Sequence, residues 1–134
     1  MICRTETIDD IARVLGVDTV TRPTATWSAH EYTCPYRYAD GIMTLSVKAL
    51  PTLAATLTYV ATLRHELGDA GAFSDLGLSG FSTKNGSAVT RKDNKVLLVE
   101  VGQLPATFGT DPATSRADVA ITVTNIILAC WRGD

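Results

Sequence analysis

The stretch FSTKNGSAVTRKDNKVLLVEV, residues 81–101, decides how the rest of the chain is read. Asn85-Gly86 sets side by side two residues tolerant of positive φ, as a tight hairpin turn demands, between Phe81-Ser82-Thr83 and Ser87-Ala88-Val89-Thr90. A second, polar turn spans residues 91–95, and residues 96–101 run out as a strongly apolar third strand. Period-two geometry puts Leu97, Val99 and Val101 on one side of that strand and Glu100 on the other. The stretch predicts a three-stranded meander at the centre of a sheet that the other segments cover, and it carries no catalytic signature.

Upstream, a Gly-rich loop over residues 69–80 follows a predicted helix that opens at Pro51-Thr52 and ends at Leu67 before Gly68. At 100° per residue Leu53, Leu57, Val60 and Leu67 form its apolar stripe, and Arg64 falls on the same stripe. Residues 30–50 read as a hairpin with Ala39-Asp40-Gly41 as its turn. Tyr32, Cys34, Tyr36 and Tyr38 share one side of its first arm, and Met43, Leu45, Val47 and Ala49 share one side of its second. Pro35 lacks an N–H and marks an edge strand or a bulge. Residues 17–29 are a Thr-rich connection whose one large anchor is Trp27. Before it, Thr7 and the acids Asp9 and Asp10 suit a helix start, with Ile8, Ile11, Ala12 and Leu15 on one face and Gly16 as the stop.

Downstream, a polar connection over residues 103–114 leads to Ser115-Arg116-Ala117-Asp118, a capping box with Asp in place of Glu. The helix that follows runs to Trp131 with Val119, Val123, Ile126 and Cys130 as its main stripe. Ile121 and Leu128 lie roughly opposite, so this helix is expected to be sandwiched or to sit at an interface. The connection carrying Trp27 is the expected cover, with a second copy of the chain as the alternative.

At 134 residues the chain is the size of one domain, residues 1–134. Its apolar runs fall short of a membrane span, so a soluble domain is expected. A formal net charge of −2 supplies no field for attracting nucleic acid, and no nucleic-acid partner is expected. Cys3, Cys34 and Cys130 allow one bridge and one free thiol in three pairings, and their spacing excludes a zinc knuckle. No leader precedes the first helix, which fits either a cytoplasmic protein or a mature domain whose leader has been removed.

Candidate chemistry is sparse. His30-Glu31 and His65-Glu66 pair an imidazole with a carboxylate, yet neighbours in sequence point apart on a strand or helix, and two surface histidines are the expected reading. Arg64 could clamp an anion bidentately, although a last-turn arginine also snorkels to water over an apolar face. Lys84, Arg91, Lys92 and Lys95 gather near the two turns of the meander and could form a basic patch for an acidic partner, although turn lysines are usually solvated and guard strand edges. Tyr32, Tyr36 and Tyr38 could line a groove, offering ring area with a hydroxyl at the rim, or could pack under a helix. Asn85-Gly86-Ser87 matches a glycosylation acceptor that the turn already explains, and Arg132-Gly133-Asp134 spells an adhesion tripeptide too short to carry weight. No motif calls for a cofactor or a metal.

The order helix, hairpin, helix, meander, helix resembles the PsbP-like domains of small actinobacterial cell-envelope lipoproteins. The carriers are Cys3 just ahead of a helix ending Val14-Leu15-Gly16, then Tyr32-Thr33-Cys34-Pro35-Tyr36, and Leu76-Gly77-Leu78-Ser79-Gly80-Phe81 leading into the meander. The resemblance implies a central antiparallel sheet with helices on both faces, a disulfide between Cys3 and Cys34, and a binding or accessory role outside the membrane. Extracytoplasmic sensor domains of receptor kinases share that architecture, and no catalytic set accompanies it. The chain departs from the pattern in lacking a lipobox and leader and in carrying Cys130, so membrane attachment is expected only through a lipidated leader outside this sequence. Cys130, on the apolar stripe of the last helix, is expected to stay a thiol.

The resulting expectation is an α+β domain in the order α-β-β-α-β-β-β-α, a twisted antiparallel sheet of about five strands in a PsbP-like α/β/α sandwich. Its expected function is non-enzymatic binding of a small amphipathic ligand or a protein partner outside the cytoplasm, through Tyr32, Tyr36, Tyr38 and Arg64, with the domain monomeric. The alternatives are a small cytoplasmic enzyme using His30, His65 or Arg64, and a homo-oligomer assembled through the C-terminal helix.

Overall fold

The computed structural model describes residues 2–75, 78–110 and 113–131. Three helices, α1 (Thr5–Leu15), α2 (Leu53–Leu67) and α3 (Arg116–Trp131), pack on an antiparallel sheet of seven strands. The strands are β1 (Thr26–Ser28), β2 (Glu31–Tyr38), β3 (Gly41–Ala49), β4 (Gly71–Asp75), β5 (Leu78–Ser82), β6 (Ala88–Lys92) and β7 (Lys95–Gln103), in the spatial order β1-β2-β3-β7-β6-β5-β4. A short ribbon of β8 (Thr107–Phe108) and β9 (Thr114–Ser115) leads into α3.

Seven strands replace the expected five because two segments read as connections are paired. Trp27 aligns with Tyr32 in β1–β2, and Phe73 with Gly80 in β4–β5. Neither added strand shows the apolar alternation that sequence periodicity detects, because each lies at an edge of the sheet with one neighbour. Pro35 sits in β2 beyond the reach of β1, where a missing N–H leaves no ladder bond unmade. The Leu76-Gly77 portion of the pre-meander motif lies outside the described residues, as does the Arg132-Gly133-Asp134 tripeptide.

The helix ends follow their local chemistry. Gly16 closes α1 at φ 70° with its N–H donated to Ala12 O, although α1 begins after Arg4, which leaves Thr7 buried inside the first turn. Thr52 caps α2 by accepting from the Ala55 N–H at 3.0 Å, and Ser115 caps α3 by accepting from the Asp118 N–H at 3.2 Å.

Two cores form on opposite faces of the sheet. On one, α1 and α3 cover Tyr36, Tyr38, Met43, Leu45, Leu97, Val99 and Val101. On the other, Leu63, Tyr59, Val60 and Leu67 of α2 meet Phe81, Val89, Val96 and Leu98. The alternation of β7 thus reads as expected, with α2 set against the face that Leu98 shares with Glu100.

Both longer helices bury a stripe different from the expected one. In α2 the buried pair is Thr56 and Leu63, while Leu53 and Leu57 are half exposed. Thr56 can take a core position because its hydroxyl donates to Thr52 O at 2.7 Å. In α3 the buried residues are Val119, Ala120, Val123, Thr124, Ile127, Leu128 and Trp131, with Ile121, Ile126 and Cys130 part-buried beside them. Leu128 therefore faces the core and needs no separate cover, and Thr124 joins it with its hydroxyl donated to Ala120 O. Trp27 belongs to the sheet, aligned with Tyr32, and not to a connection laid over α3.

Candidate ligand site

One rung of the sheet leaves the core. Trp27, Tyr32, Val47 and Leu97 are aligned across β1, β2, β3 and β7 and share the face that α1 and α3 cover. Their exposures run 53%, 49%, 6% and 0%, so the rung starts under α3 and emerges as an open aromatic shelf. The Trp27 and Tyr32 rings lie 4.4 Å apart, tilted by 47°. Beside them opens a cavity of about 400 Å³ whose floor is the shelf with Val47 and Ala49, whose wall is the Ile2-Cys3 segment, and whose rim carries Lys95.

The wall is fixed covalently. Cys3 and Cys34 are joined in a disulfide with Cα atoms 6.0 Å apart, and Cys130 is free. Tyr36 adds to the tether by donating its hydroxyl to Ile2 O at 2.6 Å. Because Cys34 stands between Tyr32 and Tyr36 on the inner row of β2, this tether divides the row. Tyr32 lies in the open cavity, whereas Tyr36 and Tyr38 line a separate crevice of about 250 Å³ under Ile8 and Ile11 of α1.

The shelf is presented by a strained turn. Ser28 pairs with Glu31, leaving Ala29 and His30 as a two-residue loop at φ 51° and 61°. Positive φ at both central positions is the requirement of a type I′ turn, which Asn-Gly meets readily and Ala-His does not. The turn is held from β3, where Lys48 Nζ donates to Ala29 O at 2.6 Å and the Ala49 N–H donates to His30 O at 2.9 Å. The His30 ring stands edge-on to Trp27 at 5.9 Å. Asn85-Gly86, expected to form the tight turn, instead lies in a wider loop between the paired Ser82 and Ala88. Only Gly86 is at positive φ, while Asn85 works through its side chain, whose oxygen accepts from the Thr83 hydroxyl and the Ser87 N–H.

The remaining residues singled out from sequence are dispersed. Tyr36 and Tyr38 are buried, and burial holds both phenols well above the usual tyrosine range, with the neighbouring Tyr38 adding to the effect at Tyr36. Tyr38 also stacks edge-on against Phe108 at 4.8 Å. Arg64 lies on the opposite face, its guanidinium 4.5 Å from the Phe81 ring centroid and paired with Asp69 at 2.9 Å. His65 shares that last turn of α2, whereas His30 sits on the β1–β2 turn with β2, β3, β7 and β6 between β1 and the strand that carries Phe81. That is a separation on the order of 20 Å. Lys84 stands at the α2 end of the meander, where its N–H meets Leu67 O, while Arg91, Lys92 and Lys95 collect at the other end around Trp131. Sequence reasoning gave Trp27 to the cover of the last helix and Lys95 to a basic patch, and brought neither to this cavity. The available signal was a large aromatic whose neighbours from Thr24 to Ala29 are only threonine, serine and alanine.

Among the described residues no group of three or more His, Cys, Asp or Glu side chains is placed to hold a metal, and no helix is long and apolar enough to cross a membrane. No family model matches the chain, and no curated protein or solved structure matches it either.

Proposed function

We propose that this domain is a non-enzymatic binding module working outside the cytoplasm, and that it takes a small amphipathic ligand on the shelf of Trp27 and Tyr32. The observation that carries the reading is the rung itself: two large aromatics, each about half exposed, lie against an apolar cavity and are held there by a turn with two residues at positive φ. Exposed aromatic area beside a concave apolar surface is what a binding site requires and what a closed core avoids. Backbone strain retained next to it is a mark of function, because folding alone favours its relief. The Cys3–Cys34 bridge supports the extracytoplasmic setting, since structural disulfides persist in oxidising compartments. The PsbP-like resemblance points the same way. The enzyme alternative, using His30, His65 or Arg64, gains no shared cleft: His30 sits on the β1–β2 turn, while Arg64 and His65 are neighbours on the last turn of α2, where Arg64 is paired with Asp69.

The test uses N-phenylnaphthylamine, a neutral dye whose emission rises in an apolar pocket. Binding should be saturable and lost in Trp27→Ala, while His65→Ala binds as the parent does. A still-folded Trp27→Ala variant that binds the dye unchanged would overturn the assignment of the cavity. Turnover of a hydrolase substrate that disappears in His65→Ala would overturn the non-enzymatic reading.

A further inference from the structure

We infer that the ligand of this cavity is a single-chain amphipathic anion, with its apolar body on Trp27 and Tyr32 and its head between Lys92 and Lys95; this rests on the binding reading above. Lys92 and Lys95 are direct cross-strand partners at the end of the β6–β7 hairpin. Like charges in that position repel and destabilise a hairpin. Among the described residues neither has a carboxylate partner, since the ion pairs there are Arg4–Glu6, Arg13–Asp10 and Arg64–Asp69. Lys92 Nζ instead donates to Trp131 O at 2.9 Å, and both ammonium groups stand 6.0 Å from the Trp131 ring centroid.

Position gives this pair a ligand to serve. Lys95 belongs both to the rim of the apolar cavity and to a second cavity of about 430 Å³, where Arg91, Lys92 and Lys95 meet the single carboxylate of Asp93. Arg91 alternates with Lys92 along β6 and so leaves from the other face, its guanidinium donating to Asp93 O at 3.0 Å, whereas Lys92 and Lys95 share the face of the apolar cavity. An anion there would gain charge-assisted hydrogen bonds and relieve the repulsion between them. The apolar cavity, at about 400 Å³, falls near the lower end of the roughly 300–1,000 Å³ range of small-molecule sites. It therefore suits one chain or ring system and not a two-chain lipid.

Displacement of N-phenylnaphthylamine by three amphipaths of equal chain length, all below their micelle concentrations, tests this. Laurate should displace the dye about tenfold more tightly than dodecanol or dodecyltrimethylammonium, and the advantage should shrink with added salt. Lys95→Gln should lower laurate affinity up to about fivefold and leave dye affinity unchanged, with Lys95→Arg restoring most of it. Equal displacement by all three heads, or a Lys95→Gln variant with unaltered laurate affinity, overturns the anionic head and leaves the cavity reading standing. Failure of the dye to bind at all removes both. Binding to phosphatidylglycerol vesicles without displacement by laurate also overturns the proposal, by giving the lysines to a membrane surface.

Discussion

Two adjacent rungs on the same face of the sheet have opposite fates. Cys34, Leu45, Val99 and Ala88 form one across β2, β3, β7 and β6, and all four are buried. Trp27, Tyr32, Val47 and Leu97 form the other, two residues along β2 and β3, and half of it is open. Both obey the same alternation and both are rich in apolar area. What differs is the cover: the N-terminal segment is pinned to the first rung by the disulfide at Cys34 and to the next by the hydrogen bond from Tyr36, and it stops short of the second. A closed rung is a core, and an open one is a surface with a core's composition, on which the proposed ligand site rests.

The largest way to sharpen that contrast is a matched pair of truncations. Leu45→Ala should cost about 3–4 kcal/mol, because the cavity it leaves is sealed on all sides. Tyr32→Ala should stay within about 0.5 kcal/mol while abolishing dye binding. Chemical denaturation measures both, and similar losses at the two positions would show that the rungs are not distinct. Next is the divider itself. Replacing Cys3 and Cys34 together by Ala removes a bridge spanning 31 residues and should lower stability by about 2–4 kcal/mol. The same variant should broaden ligand selectivity, since the wall between the cavity and the crevice of Tyr36 and Tyr38 is then free to move.

A third test reads the closed side by pH. Burial raises the Tyr38 phenol in the folded state, so between the unfolded value of 10.0 and the higher folded one the native protein holds more protons than the unfolded chain. Stability is full below that window and falls as pH rises through it, by about 1.4 kcal/mol per pH unit for one such group. Tyr38→Phe should remove that share and make alkaline unfolding less steep; an unchanged slope would mean the ring is not closed in. The smallest effect concerns the open side. Ala29→Gly with His30→Gly should relieve the left-handed backbone and raise stability by about 1 kcal/mol, offset in part by the freer unfolded chain. Ligand affinity should fall in the same variant. A stabler turn with full affinity would show that the strain does nothing for the site.

The local rules were legible wherever one residue decides one feature. Gly16, Thr52, Gly68 and Ser115 mark helix ends that the structure keeps, and the alternation of Tyr36, Tyr38, Met43, Leu45 and Val47 names the buried face of β2 and β3. Legibility failed where two solutions had similar local merit. The stripes of α2 and α3 shifted because Thr56 and Thr124 satisfy their own hydroxyls on the preceding turn and so compete with leucine and isoleucine for the core. The tight turn went to Ala29-His30, and Asn85-Gly86 took the wider loop, since register with β3 and the bonds from Lys48 and Ala49 outweigh intrinsic turn preference.

By itself the amino-acid sequence determined the α+β class, the hairpin and meander as units, and the direction in which each inner side chain of β2, β3 and β7 points. These follow from steric and hydrogen-bonding preferences that act within a few residues. Only the tertiary structure decided that β1 and β4 extend the sheet, that Tyr36 and Tyr38 are sealed while Tyr32 is not, and that Trp27 and Lys95 border one cavity with Lys92 paired beside Lys95. Those outcomes depend on where α1, α3 and the N-terminal tether come to rest over the sheet. Cover is a property of segments far apart in the chain, and no periodicity within a single segment can encode it.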